Sequence, residues 1–444
     1  MVRTLIVDDN LLSYLSTVAD ENVYAVGLIL GQSCLEKDYV IHFAKTPPFQ
    51  TDEDKKAGKA APTPQSLEDF NPSWVADHAK QATRMLPGGL YVLGIFITAP
   101  DDVLNPFNSK IKSLLQTVHN YLNINKYLYG NHSSEKIVLH FSSKTKKYYS
   151  RSYDVNSHNV QPVDVRSLVK RWTNVQCDIK LNKLRFLLKE ENDWPLEKHI
   201  KIIMDEICDN LSTAVFLFDG EFKDKEEPLE GSGKKKLKNT RSNKAQESGD
   251  AAKPVLVSIL QTQCLQNDTE ENIIESCGSL KLLGKVASQL WVQPKLTVSQ
   301  VMEAVRQDIL RSLASRLELH WDSLIEEENS EDINSVHEPP RRVLISLPDS
   351  DIALSDYLFP GEGPQDVKVS LEELLDITVE DEVEIMDVEG QADLLELDKY
   401  YKGALDSDPT EDLPIIATDP TKMVYIVGAI SLIVLIIAIL FNLF

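Results

Sequence analysis

Along the first 155 residues the chain switches between two hydrophobic periods. Leu12, Leu15 and Val18 fall on one helical face, whereas Val23–Gly31 and Asp38–Lys45 predict strands. Ser73 predicts a helix start, with Trp74, His78, Ala82 and Met85 or Leu86 along the buried stripe and Pro87-Gly88-Gly89 as the stop. Leu90–Thr98 is almost continuously apolar, which predicts a central strand covered on both faces. Asn105-Pro106 opens another helix with Ile111, Leu114 or Leu115, Val118 and Leu122 inward. Lys136–Ser143 and Lys147–Val155 then form a hairpin pattern.

Residues 160–347 carry a second mixed pattern. Val175–Leu188, Ala214–Phe218, Val255–Gln263, Leu280–Trp291 and Arg342–Leu347 predict strands, and Leu196, Ile200, Ile203 and Ile207 mark a helix. The clearest helix runs from about Val298 to Leu324, with Val305, Ile309, Leu313, Leu317 and Trp321 at steps of four. The fold class expected is mixed α/β. A first domain covers 1–159 and a second covers 160–347 with an unstructured insertion at 221–254.

Composition changes the picture mainly at the carboxyl end. The net charge is −23, and residues 361–420 hold 19 acidic and 3 basic residues. Mutual repulsion predicts a disordered acidic stalk over 348–422, with one short helix at Leu371, Leu374 and Leu375. Residues 50–70 predict a further charged loop. With no dense basic face, binding to a phosphate backbone is excluded. The five cysteines, odd in number and without a C-x-x-C pair, suit a reducing compartment.

Met423–Phe441 is free of charge. At 1.5 Å per residue it is roughly 28 Å long, about the hydrocarbon thickness of a bilayer. A buried core helix is the competing reading, disfavoured because the segment is apolar all round. Residues 423–444 are therefore expected to be a tail anchor in the lipid bilayer. The start of the sequence has too short an apolar run for a signal peptide, which places residues 1–422 in the cytosol. The sequons at Asn131, Asn210 and Asn267 should then carry no glycan.

The residues offer little catalytic chemistry. No two of the nine histidines share an H-x-H or H-x-x-x-H spacing, no G-x-S-x-G elbow occurs, and no cysteine carries a nucleophile signature. His42, His78 and His140 read as core histidines. No cofactor and no metal is expected.

Two resemblances follow. The order of helix, strand Gly27–Gly31, second strand, helix and Gly94-Ile95-Phe96-Ile97-Thr98-Ala99-Pro100 resembles the MPN fold of ubiquitin-type metalloproteases. In that family two histidines of Gly-Trp-Tyr-His-Ser-His-Pro hold zinc. Here Gly94 and Pro100 match, but the histidines become Ile97 and Ala99. The later serine and aspartate fall on Phe107 and Lys110, and the general-base glutamate falls on Tyr24. Ile and Ala offer no lone pair, so the resemblance implies a catalytically degenerate domain. An unrelated α/β sheet is the competing reading.

The second resemblance covers most of the chain. Lys37-Asp38-Tyr39-Val40-Ile41, Thr46-Pro47-Pro48, Trp74, His78-Ala79, Gln81 and Arg84-Met85-Leu86-Pro87-Gly88-Gly89-Leu90, followed by Val92-Leu93-Gly94, resemble the odorant response abnormal protein 4 family. That resemblance implies residence in the endoplasmic reticulum membrane. It further implies support of folding and export of seven-helix odorant-type receptors, and partnership with the protease specific for the ubiquitin-fold modifier. The expected function is thus a non-catalytic membrane adaptor. The alternatives are a membrane-anchored hydrolase, which needs a polar pocket the sequence does not reveal, and a tether resembling SNAREs, which lacks the required heptads.

Overall fold

The computed structural model describes residues 3–389 apart from 20–22, 51–62, 130–132, 158, 169–170, 231–252, 262–274, 327–336, 349 and 379–383. The class is mixed α/β, and residues 1–390 form one compact unit. The first block is a mixed eight-stranded sheet. Its strands are β1 (Thr4–Val7), β2 (Ala25–Cys34), β3 (Lys37–Lys45), β4 (Tyr91–Ala99), β5 (Glu135–Ser142), β6 (Lys147–Asp154), β7 (Val160–Pro162) and β8 (Asp164–Ser167), in the order β7-β6-β5-β4-β2-β3-β1-β8. The edge strands β7 and β8 are separated in sequence by Val163 alone, so the sheet must curl until its two ends meet.

One face of this sheet buries Leu5, Val40, Phe43, Phe96 and Phe141 beneath α1 (Asp9–Val18). The other packs on α2 (Pro72–Met85) and α3 (Asn108–Leu122). The first strand pattern begins two residues late relative to expectation and runs on to Cys34. Asn71, not Ser73, caps α2: its side chain accepts the Ser73 N–H, with Pro72 in the first turn. Helix α3 starts at Asn108 rather than at Asn105. A short helix, α4 (Lys126–Tyr129), follows it.

The boundary expected at residue 159 moves. β8 pairs in parallel with β1 from Thr4↔Asp164 to Val7↔Ser167, so residues 160–167 complete the first sheet. A second, four-stranded sheet holds β9 (Thr173–Leu188), β10 (Val215–Phe218), β11 (Val255–Leu260) and β12 (Ser276–Val292) in the order β10-β11-β9-β12. Helices α5 (Leu196–Thr213) and α6 (Val298–Glu326) complete this block, and α6 buries Val305, Ile309, Leu313 and Leu317 as its four-residue steps require. The insertion expected at 221–254 is narrower. Leu229 is buried, and Val298 donates its N–H to Glu227 O; residues 231–252 lie outside the described residues. In the 50–70 loop, Ser66 caps a 3-10 turn over Leu67–Asp69.

The stalk expected from residue 348 begins later. A three-stranded sheet of β13 (Arg341–Ser346), β14 (Ala353–Leu358) and β15 (Ile385–Asp387) follows α6, together with α7 (Pro364–Leu375). Val367, Leu371 and Leu375 form a buried stripe that outweighs charge repulsion, because the acids occupy the opposite face. One apolar core runs from α2 and α3 through α6 to β13 and α7. Among the described residues no helix is long and apolar enough to cross a membrane, and residues 423–444 lie outside them.

Candidate functional site

The five positions that the resemblance singles out lie in β4, just before β2 and at the start of α3. Ile97 pairs with Val26 of β2 and, on its other side, with His140 of β5. Ile97 and Ala99 are buried in the apolar core, and Tyr24 packs against that core from just before β2. Phe107 stands at the start of α3 without a side-chain cap. One turn on, Lys110 donates from Nζ to Glu68 O at 3.1 Å and faces the Glu68 carboxylate at 3.6 Å. Lys110, where the resemblance would put a carboxylate ligand, is thus an ammonium that pins the 3-10 turn. Nearby His140 stacks on Tyr149 with ring centroids 5.9 Å apart, and burial lowers its pKa, favouring the neutral ring. Among the described residues no three His, Cys, Asp or Glu side chains group closely enough to hold a metal ion.

A second cluster collects Thr46, Pro47, Pro48, Trp74 and His78. The Trp74 indole donates to Pro47 O at 2.8 Å, and Phe49 meets the Trp74 ring edge-on. The His78 Nε2–H donates to Leu374 O at 2.7 Å, which leaves Nδ1 to accept from Thr46 Oγ1 at 3.1 Å in the neutral ring. His42 repeats the arrangement, its Nε2–H donating to Leu375 O at 2.7 Å. Two rings from the first sheet block therefore cap the last carbonyls of α7. Burial lowers the pKa of both histidines. Beyond them Asp376 adopts the left-handed conformation (φ 56°) and accepts the Tyr14 hydroxyl at 2.6 Å. Between this C-terminus and Thr46-Pro47-Pro48 lies a groove of about 470 Å³, lined also by Lys45, Val369, Glu372 and Glu373.

The third cluster explains the Arg84–Leu90 motif. Gly88 donates its N–H to Asp308 Oδ1 at 2.7 Å, and Gly89 donates to Gln307 Oε1 at 3.1 Å. A Cβ on Gly88 would stand 2.1 Å from Ala304 O, so only glycine lets the loop approach α6. Arg311 donates to Leu86 O, Pro87 O and Leu90 O from Nη1 and to Leu128 O from Nε. Arg342 of β13 closes the junction, with a bidentate pair to Asp308 at 2.8 and 2.9 Å. Both side chains are 1% exposed. Gln32 joins β2 to β12, donating to Gly89 O and accepting from Gln293 N. Sequence reasoning missed Asp308, Arg311 and Arg342; the available signal was Asp308 and Arg311 lying beside the Val305, Ile309 and Leu313 stripe of α6.

Residues 27–385 match the family profile described as "ODR4-like: Odorant response abnormal 4-like". The chain belongs to this family. The human relative named "Protein odr-4 homolog" is 29% identical over 97% of this chain and 96% of its own length. "Odorant response abnormal protein 4" of Caenorhabditis elegans is 24% identical over 79% of this chain and 71% of its own length. Among solved structures, UfSP from C. elegans superposes with a TM-score of 0.44 at 8% identity, over 86% of this chain and 58% of that one. The matched ODR4-like region holds all three clusters except Tyr14 and Tyr24, which precede it.

Proposed function

We propose that this ODR4-like chain is a non-catalytic adaptor of the endoplasmic reticulum membrane. In this reading it binds and positions the ubiquitin-fold-modifier-specific protease and supports folding, export and localisation of seven-helix odorant-type receptors. The observation that carries the non-catalytic half is the end of β4. Ile97, Ala99 and Phe107 supply no lone pair for a metal, and Lys110 is engaged with Glu68. The name shared by the relatives supports the receptor half. Residues 423–444 serve as the membrane anchor, with residues 1–422 in the cytosol.

The test uses the full chain purified in detergent. It should bind the protease stoichiometrically, contain no tightly held zinc and cleave no modifier precursor by itself. Deleting 423–444 should release the chain from membranes and abolish receptor export while leaving protease binding intact. In sealed microsomes, added protease should digest residues 1–422, and Asn131, Asn210 and Asn267 should carry no glycan. Zinc at one equivalent, cleavage by the chain alone, or a glycan on any sequon would overturn the corresponding part.

A further inference from the structure

Helix α7 ends against the usual electrostatics of helices. A helix C-terminus carries a partial negative charge, which Lys, Arg or a charged His in the last turn ordinarily offsets. Here the last turn holds no basic residue; Glu372 and Glu373 stand in it and Asp376 follows. The caps do not restore the balance. His42 and His78 donate to Leu375 O and Leu374 O as rings whose charged form burial disfavours. Asp376 accepts the Tyr14 hydroxyl, whereas the Glu372 and Glu373 carboxylates have no hydrogen-bond or ion-pair partner among the described residues. Lys368, one turn earlier, pairs with neither. Three carboxylates are thus held at a negative helix end with no cation to offset them, a local cost that nothing in the fold repays.

These same residues line a groove. Val369, Glu372, Glu373 and Asp376 fall at i, i+3, i+4 and i+7, one face of α7 beside its buried Val367, Leu371 and Leu375 stripe. That face lines one side of the 470 Å³ groove, and Lys45-Thr46-Pro47-Pro48 lines the other. The volume lies within the range of about 300–1,000 Å³ typical of ligand clefts. Val369, 54% exposed, and the two prolines supply apolar surface, and the carboxylates face one cation, Lys45. Along the helix, Val369 stands about 5–10 Å from the three carboxylate positions, or two to three residues of extended chain. Among the described residues no three acidic, His or Cys side chains group closely enough to hold a metal ion, so these carboxylates are too dispersed for one small cation. Dispersed carboxylates suit dispersed donors, such as guanidinium or ammonium groups on a chain.

We propose that the groove between α7 and Thr46-Pro47-Pro48 docks an extended basic segment of a partner protein. An apolar residue of that segment packs on Val369, and Arg or Lys two or three positions away meets Glu372, Glu373 and Asp376. Charge complementarity selects this occupant: the lining repels a phosphate or an anionic headgroup, and a purely apolar segment would leave the three carboxylates uncompensated. Two basic stretches of this chain, Lys55-Lys56 and Lys234-Lys235-Lys236, share the required charge and are the competing occupants.

The experiment measures fluorescence anisotropy of a short labelled peptide, one leucine with arginines two and three residues to either side, titrated with the full chain in detergent. Saturable binding is expected. Glu372→Gln with Glu373→Gln should weaken it by about tenfold or more. Val369→Ser should weaken it by about threefold with every charge intact. A peptide with glutamates in place of the arginines should bind the variant Glu372→Lys with Glu373→Lys and not the parent chain. The control Glu226→Gln with Glu227→Gln, an equal change of charge at exposed positions outside the groove, should bind as the parent does. Equal weakening by that control would reduce the effect to diffuse attraction by an acidic chain and overturn the proposal. Binding seen only after Lys55, Lys56 and Lys59, or Lys234, Lys235 and Lys236, are changed to Gln would assign the groove to this chain's own segment, which overturns it equally. The Glu372→Gln, Glu373→Gln variant should also melt no lower than the parent, because it relieves repulsion at the helix end. A lower midpoint would mean that the two carboxylates serve the fold rather than a partner, against the proposal.

Discussion

Ile97 and Ala99 at the end of β4 and the Gly88–Gly89 junction are both buried, yet they treat polarity in opposite ways. At the strand end, the positions where the resemblance to metalloproteases would put two histidines, a serine, an aspartate and a base are Ile97, Ala99, Phe107, Lys110 and Tyr24, and the one charge among them, Lys110, braces a turn. At the junction the chain buries Asp308, Arg311 and Arg342 and pairs them with backbone groups from distant segments. Burying charge is costly unless every donor and acceptor finds a partner. At the motif Leu86-Pro87-Gly88-Gly89-Leu90 that condition is met except at Arg311 Nη2, which has no hydrogen-bond partner. In this molecule, buried charge serves assembly.

Breaking the junction should give the largest effect. Asp308→Ala leaves the Arg342 guanidinium buried without its carboxylate and strips Gly88 of its acceptor. A loss of about 3–5 kcal/mol is expected in chemical denaturation. Adding Arg342→Met should restore part of it, because the second change removes the stranded charge. A double variant no more stable than Asp308→Ala would show that the stranded Arg342 charge is not what the single change costs.

At the strand end, Ile97→His combined with Ala99→His should cost about 2 kcal/mol, since two polar rings enter an apolar core without partners. Tight zinc should not follow, because Tyr24, Phe107 and Lys110 supply no further ligand. Metal analysis of the purified variant reads this directly. One equivalent of zinc would mean that the site lost only its histidines.

A smaller effect is expected from Lys136, fully buried in β5 near Arg3 and Asp38. Burial pushes its ammonium down to about 7, with Arg3 contributing. The unfolded chain holds that proton up to its ordinary value near 10.5, so between about pH 7 and 10.5 the unfolded state binds more protons and stability rises with pH. Lys136→Met should flatten that rise and stabilise the protein at neutral pH. An unchanged slope would assign the pH dependence to other groups.

The smallest effect concerns the histidine caps of α7. Burial lowers the pKa of His42 and His78, so their stabilising contribution is present above the unfolded value of about 6.5. It is lost as the pH falls below that value. Hydrogen exchange at Asp376 and Ile377, corrected for intrinsic rate, should therefore quicken at about pH 5 relative to pH 7. Equal protection at both would remove the histidines from the docking of this helix.

How far the sequence could be read follows from the range of the interactions. Local periodicity places β4, β5 and α6 closely, because their apolar positions repeat over a long stretch, and β6 follows as the second arm of the hairpin with β5. Residues 160–167 were assigned to the wrong block because their partner, β1, is four residues long at the other end of the first block. The sequence shows a short helix at Leu371, Leu374 and Leu375 but sets it in a disordered stalk, because acids dominate the composition while only Val367, Leu371 and Leu375 carry the packing. At the candidate sites, a single motif suffices to single out Gly94, Ile97, Ala99 and Pro100 as one strand end. No motif singles out the groove beside Thr46 or the Asp308–Arg342 pair, since each unites residues more than 30 positions apart.

The junction also dictates an order of events during translation. Gly88 and its acceptor Asp308 are 220 residues apart in the chain, and Arg342 follows 34 residues later. At about 5–20 residues per second, the Pro87-Gly88-Gly89 loop leaves the ribosome on the order of ten to forty seconds before its acceptor exists. During that interval the nascent first sheet presents an uncovered loop whose permanent cover has not been made. Chaperones that act on the growing chain have their longest opportunity here, and a pause before residue 308 lengthens it.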